Sequence, residues 1–122
     1  MEITKKVLLV DDAAFILKRL KQSLEELPQT VKILTAGDYE SALSQLENEG
    51  PHIVVLDVHL PGKSGIEILK IVKLKSLSII VIMLTNQAND YYRNLCKDLG
   101  ADYFIDKSSD FEMLPQIIGS LL

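Results

Sequence analysis

Four consecutive apolar residues end on a carboxylate in the stretch Ile53-Val54-Val55-Leu56-Asp57. A short apolar run of this kind, bounded by turn residues, is typical of a buried strand. Pro61 and Gly62 follow it closely and favour a turn, after which a helical pattern begins. A carboxylate at the end of a buried strand is costly unless a charged partner lies beside it. Asp57 is therefore expected to have such a partner, supplied by other parts of the chain.

Apolar runs of strand length recur on both sides of this stretch. The sequence predicts five strands, over residues 7–10, 31–36, 53–56, 79–84 and 102–105. Each is followed by apolar residues at helical spacing, as Leu17, Leu20 and Leu24 are in the first helix. Strands that alternate with helices in this way predict an α/β fold, with a parallel sheet and helices on both of its faces.

Local signals predict where several helices begin and end. Asp12 is placed to cap the first helix, which Pro28 ends, and either Asn89 or Asp90 can cap the fourth. In the fourth helix, one residue of the pair Tyr91-Tyr92 is expected to pack inward.

The start of the last helix is ambiguous. Ser109 and Glu112 fit a capping box, but Pro115 would then lie inside the helix. Either residues 109–113 form a separate turn and the main helix begins near Pro115, or the helix is kinked there. Of the remaining side chains, Cys96 is predicted to lie in the core and the lysines of 70–75 to form a solvated surface.

The composition excludes several broad classes of protein. The chain has 122 residues, of which 48% are hydrophobic and 25% charged, as expected of one globular domain spanning residues 1–122. Its net charge of −4 argues against direct nucleic-acid binding. The single cysteine cannot form an internal disulfide, and no apolar run is long enough for a signal peptide or a membrane span. These features predict a cytoplasmic location.

Charged or hydroxyl side chains follow four of the five predicted strands. Asp11 and Asp12 follow the first strand, Asp57 the third, Thr85 the fourth and Lys107 the fifth. Parallel strands end at the same edge of a sheet, so these side chains are expected to meet there. Neighbouring carboxylates repel one another unless a cation lies among them, and oxygen ligands favour Mg²⁺. With a lysine and a hydroxyl beside them, these groups suit phosphoryl transfer to a carboxylate.

With side chains at these positions, the sequence resembles the receiver domain of bacterial two-component response regulators over essentially its whole length. Asp57 matches the phosphoacceptor of that family, and residues 60–65 match the loop that follows it. The other matches are the acidic pair Asp11-Asp12, the hydroxyl residue Thr85, the aromatic switch residue Phe104 and the lysine Lys107. The resemblance implies a doubly wound, flavodoxin-like (βα)5 fold whose parallel five-stranded sheet has the strand order 2-1-3-4-5.

The resemblance also implies a metal site. Asp57 is the phosphoacceptor, and Mg²⁺ is held directly by Asp12, Asp57 and the backbone carbonyl of His59. Asp11 acts on the metal mostly through water.

A switch is implied as well. Thr85 and Lys107 hold the phosphoryl oxygens, and on phosphorylation Thr85 moves inward and Phe104 follows it. This movement changes the surface formed by the fourth helix, the fifth strand and the fifth helix. Many family members carry tyrosine where this chain has Phe104, so a hydroxyl is lost here. His59 and Gln87 flank the phosphoryl group and are implied to set its lifetime.

The implied phosphoryl donor is a sensor histidine kinase or a histidine phosphotransfer protein. The phosphorylated form is expected to bind a downstream protein, as a monomer or as a phosphorylation-dependent dimer, without contacting a membrane or nucleic acid. Catalysis by the chain itself is limited to self-phosphorylation from small phosphodonors and self-dephosphorylation.

Three other functions are compatible with parts of the sequence. The chain could be the receiver half of a longer DNA-binding transcription regulator, since residues 107–112 resemble receivers that carry such an output. An Mg²⁺-dependent phosphatase of the haloacid-dehalogenase type would need an acid where His59 stands. A flavodoxin-like FMN carrier would need a phosphate-binding loop where Asp11-Asp12 would repel the phosphate.

Overall fold

The computed structural model describes residues 4–86 and 88–122. In these residues five strands alternate with five helices, as the sequence predicts. The elements are β1 (Lys5–Val10), α1 (Ala14–Glu25), β2 (Val31–Ala36), α2 (Tyr39–Glu49), β3 (Ile53–Leu56), α3 (Gly65–Lys75), β4 (Ile80–Thr85), α4 (Asp90–Asp98), β5 (Tyr103–Asp106) and α5 (Met113–Leu121).

The strands form one parallel sheet in the order β2-β1-β3-β4-β5, which confirms the predicted doubly wound fold. Val10 at the end of β1 is paired with Leu56 at the end of β3. The residues that follow them, Asp11 and Asp57, therefore leave the sheet side by side. The acidic residues of the predicted site start from adjacent strands.

Two apolar layers, one on each face of the sheet, form the core. Alternate residues of β1 point to opposite faces, so Leu8 is buried in one layer and Leu9 in the other. Helices α2, α3 and α4 cover the first layer and bury Ala42, Ile68 and Cys96 in it. Helices α1 and α5 cover the second layer and bury Leu20 and Leu114. Because helices cover both faces, polar groups of the strands reach solvent at the strand ends.

Among the described residues, no helix has both the length and the apolar character that crossing a membrane requires.

The start of α1 differs from the prediction. Its N-cap is Ala13 and not Asp12, and the carboxylate of Asp11 accepts a hydrogen bond from the Ala13 N–H at 2.9 Å. Asp11 lies buried directly after β1, so its carboxylate reaches this amide, whereas Asp12 is exposed. At α4 the cap is Asn89, whose side chain accepts a hydrogen bond from the Tyr92 N–H at 3.0 Å.

The start of α5 resolves the conflict between Ser109 and Pro115. Residues 107–112 form turns and a bend, and the helix begins at Met113. Pro115 therefore lies in the first helical turn, where a backbone N–H has no intrahelical acceptor and its loss is tolerated. The separate turn is confirmed, whereas the capping box headed by Ser109 is wrong, because the N-cap is Glu112.

One lysine of the predicted solvated surface instead has a largely buried side chain. The side chain of Lys73 is 9% exposed, and its Nζ donates to the Ile79 carbonyl at 2.6 Å and to the Asp102 carboxylate at 2.9 Å. The same carboxylate oxygen accepts the Val81 N–H at 2.8 Å. This network ties α3 to the starts of β4 and β5. Its two charged members are 29 residues apart in sequence, so helical periodicity alone gives no sign of it.

We expect Asp102→Ala to lower the free energy of unfolding by about 2 kcal/mol. The substitution removes the counter-charge of the Lys73 ammonium and the side-chain acceptor of the Val81 amide. Urea denaturation followed by circular dichroism measures the change. Asp98→Ala, at an exposed position near the end of α4, is the matched control, with an expected change below about 0.5 kcal/mol. Equal stabilities of the two variants would contradict the role of Asp102.

Two predictions about α4 are confirmed. Tyr92 packs against the first apolar layer, whereas Tyr91 is 69% exposed. Cys96 is fully buried, and burial raises the pKa of its thiol. The neutral thiol is therefore favoured in the folded protein, and the thiolate is the form that reacts.

Cys96 should react with the thiol reagent DTNB about a hundredfold more slowly in the native protein than in urea, because reaction requires local opening of the core. Absorbance of the released thiolate measures both rates. N-acetylcysteine in the same two solutions corrects for the effect of urea on the reagent. A native rate close to the unfolded one would show that the thiol is accessible.

Candidate functional site

A cleft of about 450 Å³ lies at the edge of the sheet where the strands end. The structure brings together there most of the residues that the sequence singled out: Asp11, Asp12, Asp57, His59, Thr85 and Lys107. Four further lining residues were not singled out: Ala13, Phe15, Ile16 and Asn86. Phe15 is 69% exposed. The sequence could have pointed to it, because Phe15 is a large apolar residue outside the helical periodicity of α1.

Lys107 is the partner of Asp57. Its ammonium donates to Oδ2 of Asp57 at 2.7 Å and to Oδ2 of Asp11 at 2.6 Å. All three side chains are at least nine-tenths buried, with exposed fractions of 9%, 10% and 4% for Lys107, Asp57 and Asp11. One positive charge thus bridges two buried carboxylates that would otherwise repel each other.

The two carboxylates also act on the lysine. Burial by itself lowers the pKa of Lys107, but hydrogen bonds and charge attraction from Asp11 and Asp57 outweigh burial and raise it. The side chain therefore stays an ammonium ion at neutral pH. The ammonium can pair with an incoming anion without first taking up a proton.

The remaining oxygen of each buried carboxylate is held by a backbone amide. Oδ1 of Asp11 accepts the Ala13 N–H at 2.9 Å, and Oδ1 of Asp57 accepts the His59 N–H at 3.3 Å. Both carboxylates are thus oriented from two sides, by the loop that follows each strand and by Lys107. These hydrogen bonds limit how far either carboxylate can reorient, which lowers the cost of reorganising the site.

Three carboxylates in the cleft could hold a metal ion. Ligand oxygens of Asp11, Asp12 and Asp57 lie within 4.8 Å of one another. Asp12 is exposed, so a cation that it binds can keep several of its waters. An all-oxygen set with open positions fits Mg²⁺, which retains water and binds through one or two carboxylates. The donor chemistry of the cleft therefore fits the ion that the sequence predicts.

The backbone aligns the ends of β4 and β5 with the carboxylates. Thr85, the last residue of β4, is fully buried, and its carbonyl accepts the Lys107 N–H at 3.0 Å. The Asp57 N–H in turn donates to the Val10 carbonyl at 3.2 Å. Backbone hydrogen bonds thus continue past the ends of the strands. They fix the backbone positions from which the side chains of Asp57, Thr85 and Lys107 extend.

One of the predicted residues, Phe104, is not among the residues that line the cleft. Phe104 lies half-buried on β5, where the Arg93 guanidinium sits 4.8 Å from its ring centroid and donates a hydrogen bond to its carbonyl at 3.4 Å. Gln87 lies outside the described residues. The predicted switching and rate-setting roles of these side chains remain predictions.

Gly65 shapes the site, although the sequence indicated only a turn. A Cβ at this position would lie 1.8 Å from the backbone carbonyl oxygen of Asp57. The close approach is fixed because the Gly65 N–H and the Ser64 hydroxyl both donate to the Val58 carbonyl, at 2.8 and 3.0 Å. A glycine as the first residue of a helix, directly after a serine cap, was the available signal.

Gly65→Ala should lower the free energy of unfolding by at least about 2 kcal/mol, because the methyl group displaces the Asp57 carbonyl or the start of α3. Gly37→Ala is a matched control, since its Cβ would lie at an ordinary 3.9 Å from the Asp11 carbonyl oxygen. Thermal unfolding of the two variants measures the difference. If both variants melt like the parent, the close approach at Gly65 does not constrain the site.

Comparison with known proteins gives a consistent result. The family model for the response regulator receiver domain matches residues 7–119. The alkaline phosphatase synthesis transcriptional regulatory protein PhoP of Bacillus subtilis is 37% identical over 105 residues, which are 86% of this chain and 43% of PhoP. The chain thus spans less than half of the length of that relative.

Solved structures agree in fold. The BeF3-activated DrrB receiver domain superposes with a TM-score of 0.86 at 31% identity, covering 97% of both chains. A CheY-like receiver domain protein from Methanospirillum hungatei JF-1 superposes with a TM-score of 0.86 at 28% identity, covering 98% of this chain and 94% of the other. The family match, the sheet order and these superpositions together show that the chain belongs to the response regulator receiver domain family.

Proposed function

We propose that Asp57 is the phosphoacceptor of this receiver domain, which we take to span residues 1–122. Phosphorylation as part of a two-component system follows from the family. The observation that carries the choice of residue is the Lys107 ammonium, 2.7 Å from Oδ2 of Asp57 in a cleft open to solvent. The family match is to the receiver domain, and it favours neither the DNA-binding regulator nor the phosphatase.

Asp57 is favoured over the other two acids by its position. Because β3 lies between β1 and β4, Asp57 stands between the acidic pair and Thr85. The side chain of Asp11 is only 4% exposed, and its Oδ1 is held by a shorter amide hydrogen bond than that of Asp57. Asp12 is exposed. Asp57 thus combines pairing to Lys107 with access from the centre of the cleft.

The transfer itself requires little covalent chemistry from the protein. A phosphohistidine of a histidine kinase or phosphotransfer protein supplies the phosphoryl group, as receiver domains of this family use such partners. An oxygen of Asp57 forms the new bond to phosphorus while the P–N bond breaks and its electron pair returns to the imidazole. Lys107 keeps its proton and neutralises charge on the phosphoryl oxygens, and Thr85 donates to another of them.

Mg²⁺ is the cofactor that we assign to the cleft. Receiver domains of this family typically bind it, and Asp11, Asp12 and Asp57 offer a fitting set of oxygens. We place the backbone carbonyl of His59 in the same set. The bound ion would neutralise charge on the phosphoryl oxygens. Without it, the one ammonium of Lys107 faces three carboxylates and an incoming dianion.

The output surface is the one formed by α4, β5 and α5, with Thr85 and Phe104 as the switch pair. The contacts around Phe104 support this assignment, because Arg93 on α4 stacks on its ring at 4.8 Å. Tyr91 and Tyr103 are exposed nearby in the same two elements. Exposed aromatic and arginine side chains are enriched at protein interfaces, which suits a downstream protein partner.

Incubation with acetyl phosphate and Mg²⁺ should add one phosphoryl group to the protein, and Asp57→Asn should abolish the gain. The amide removes the nucleophilic oxygen but keeps the shape of the side chain. Intact-protein mass spectrometry measures the gain. EDTA added before the donor should prevent it, because the metal is removed.

Asp98→Asn, the same change at an exposed position on α4, is the matched control and should be phosphorylated like the parent. A phosphoryl gain that survives Asp57→Asn would assign the acceptor to another residue. A gain that survives EDTA would contradict the metal requirement.

A further inference from the structure

An aromatic contact links the loop of the phosphoacceptor to α4. The imidazole of His59 packs edge to face against the ring of Tyr92, with centroids 6.0 Å apart and planes at 81°. His59 also lines the cleft, two residues after Asp57. Tyr92 is held in place by the first apolar layer and by Tyr91, whose ring packs on it at 5.1 Å.

This contact restrains a side chain that is otherwise exposed. His59 extends into solvent from a loop, so its imidazole has few neighbours to select one orientation. Edge-to-face packing on a fixed ring is attractive and favours the orientation toward α4. In that orientation the imidazole lies at the α4 side of the cleft that it lines.

We infer that Tyr92 is a positioning residue for the phosphorylation site: its ring holds the His59 imidazole at the α4 side of the cleft and thereby keeps the lifetime of the phosphorylated form short. The inference rests on the proposed role of Asp57 and deepens it.

The step affected is hydrolysis of the acyl phosphate. A water oxygen forms a bond to phosphorus as the bond from phosphorus to the Asp57 oxygen breaks. The carboxylate leaves with the electron pair, and the proton of the water passes to the released phosphate. The water must approach from the open side of the cleft, in line with the breaking bond. An imidazole released from Tyr92 can swing across that path and slow the water's approach.

The arrangement also gives α4 a way to act on the site. Tyr91 is 69% exposed and packs directly on Tyr92. A protein that binds α4 through Tyr91 and displaces Tyr92 would release His59 and prolong the phosphorylated state. The output surface would thus influence the lifetime of the signal that it reads.

The test compares Tyr92→Leu with Tyr92→Phe in the full chain. Leucine keeps apolar packing on α4 but removes the aromatic ring, whereas phenylalanine keeps the ring and removes only the hydroxyl. After phosphorylation with acetyl phosphate and removal of the donor, mass spectrometry follows loss of the phosphoryl group. We expect Tyr92→Leu to slow this loss about threefold, as weakening one aromatic contact should, and Tyr92→Phe to leave it unchanged. In a His59→Ala background, Tyr92→Leu should have no further effect.

Other outcomes are informative. An unchanged or faster loss in Tyr92→Leu overturns the inference, as does a slowing that persists with His59→Ala, which would act through α4 packing instead.

The contact has a separate readout, since the ring current of Tyr92 should shift the His59 ring protons in NMR spectra of the parent and not of Tyr92→Leu. Unchanged histidine shifts overturn the inference even where the parent is phosphorylated. Absence of phosphorylation in the parent defeats the proposed function, while the NMR comparison still decides whether Tyr92 positions His59.

Discussion

The ammonium of Lys107 between the carboxylates of Asp11 and Asp57 is the interaction on which the site depends. A parallel sheet necessarily brings the ends of its strands to one edge, and here those ends carry three acids. Two of the acids are buried, where uncompensated negative charge is costly. The lysine satisfies both with hydrogen bonds of 2.6 and 2.7 Å and remains positively charged, because their attraction outweighs the effect of its burial. The ammonium that stabilises these two carboxylates at the edge of the sheet is thus also placed to pair with an incoming anion.

Close packing around Asp57 is the second constraint. The loop from β3 to α3 is closed by hydrogen bonds from Ser64 and Gly65 to the Val58 carbonyl, and a side chain at Gly65 would collide with Asp57. The same loop contacts its neighbours on both sides, through Lys63 over the Tyr39 ring of α2 at 5.1 Å and through His59 against α4. A change of charge at Asp57 would therefore occur in a loop that already contacts the helices on both sides, an arrangement that suits the proposed switch.

Most of the fold could be predicted because its signals are local. Apolar runs such as 53–56 and the helical spacing of Leu20 and Leu24 report their own secondary structure, and their alternation is enough to predict a parallel sheet. The order of the strands came from the resemblance to receiver domains and not from the pattern. Local signals failed where a distant or competing group decided the outcome. Asp12 was predicted to cap α1, but the N-cap is Ala13, whose N–H donates to the buried carboxylate of Asp11.

By itself, the sequence determined which chemical groups stand at the strand ends, since β-propensity and helical periodicity place Asp11, Asp57 and Lys107 there without knowledge of the rest. Only the tertiary structure decided how these groups meet. The ammonium of Lys107 reaches across 96 residues to Asp11 and 50 to Asp57. The close approach of Gly65 to the Asp57 carbonyl and the packing of Tyr92 on His59 likewise depend on how whole elements pack. Such contacts have no local signature, because the residues that make them become neighbours only when the sheet forms and its helices dock.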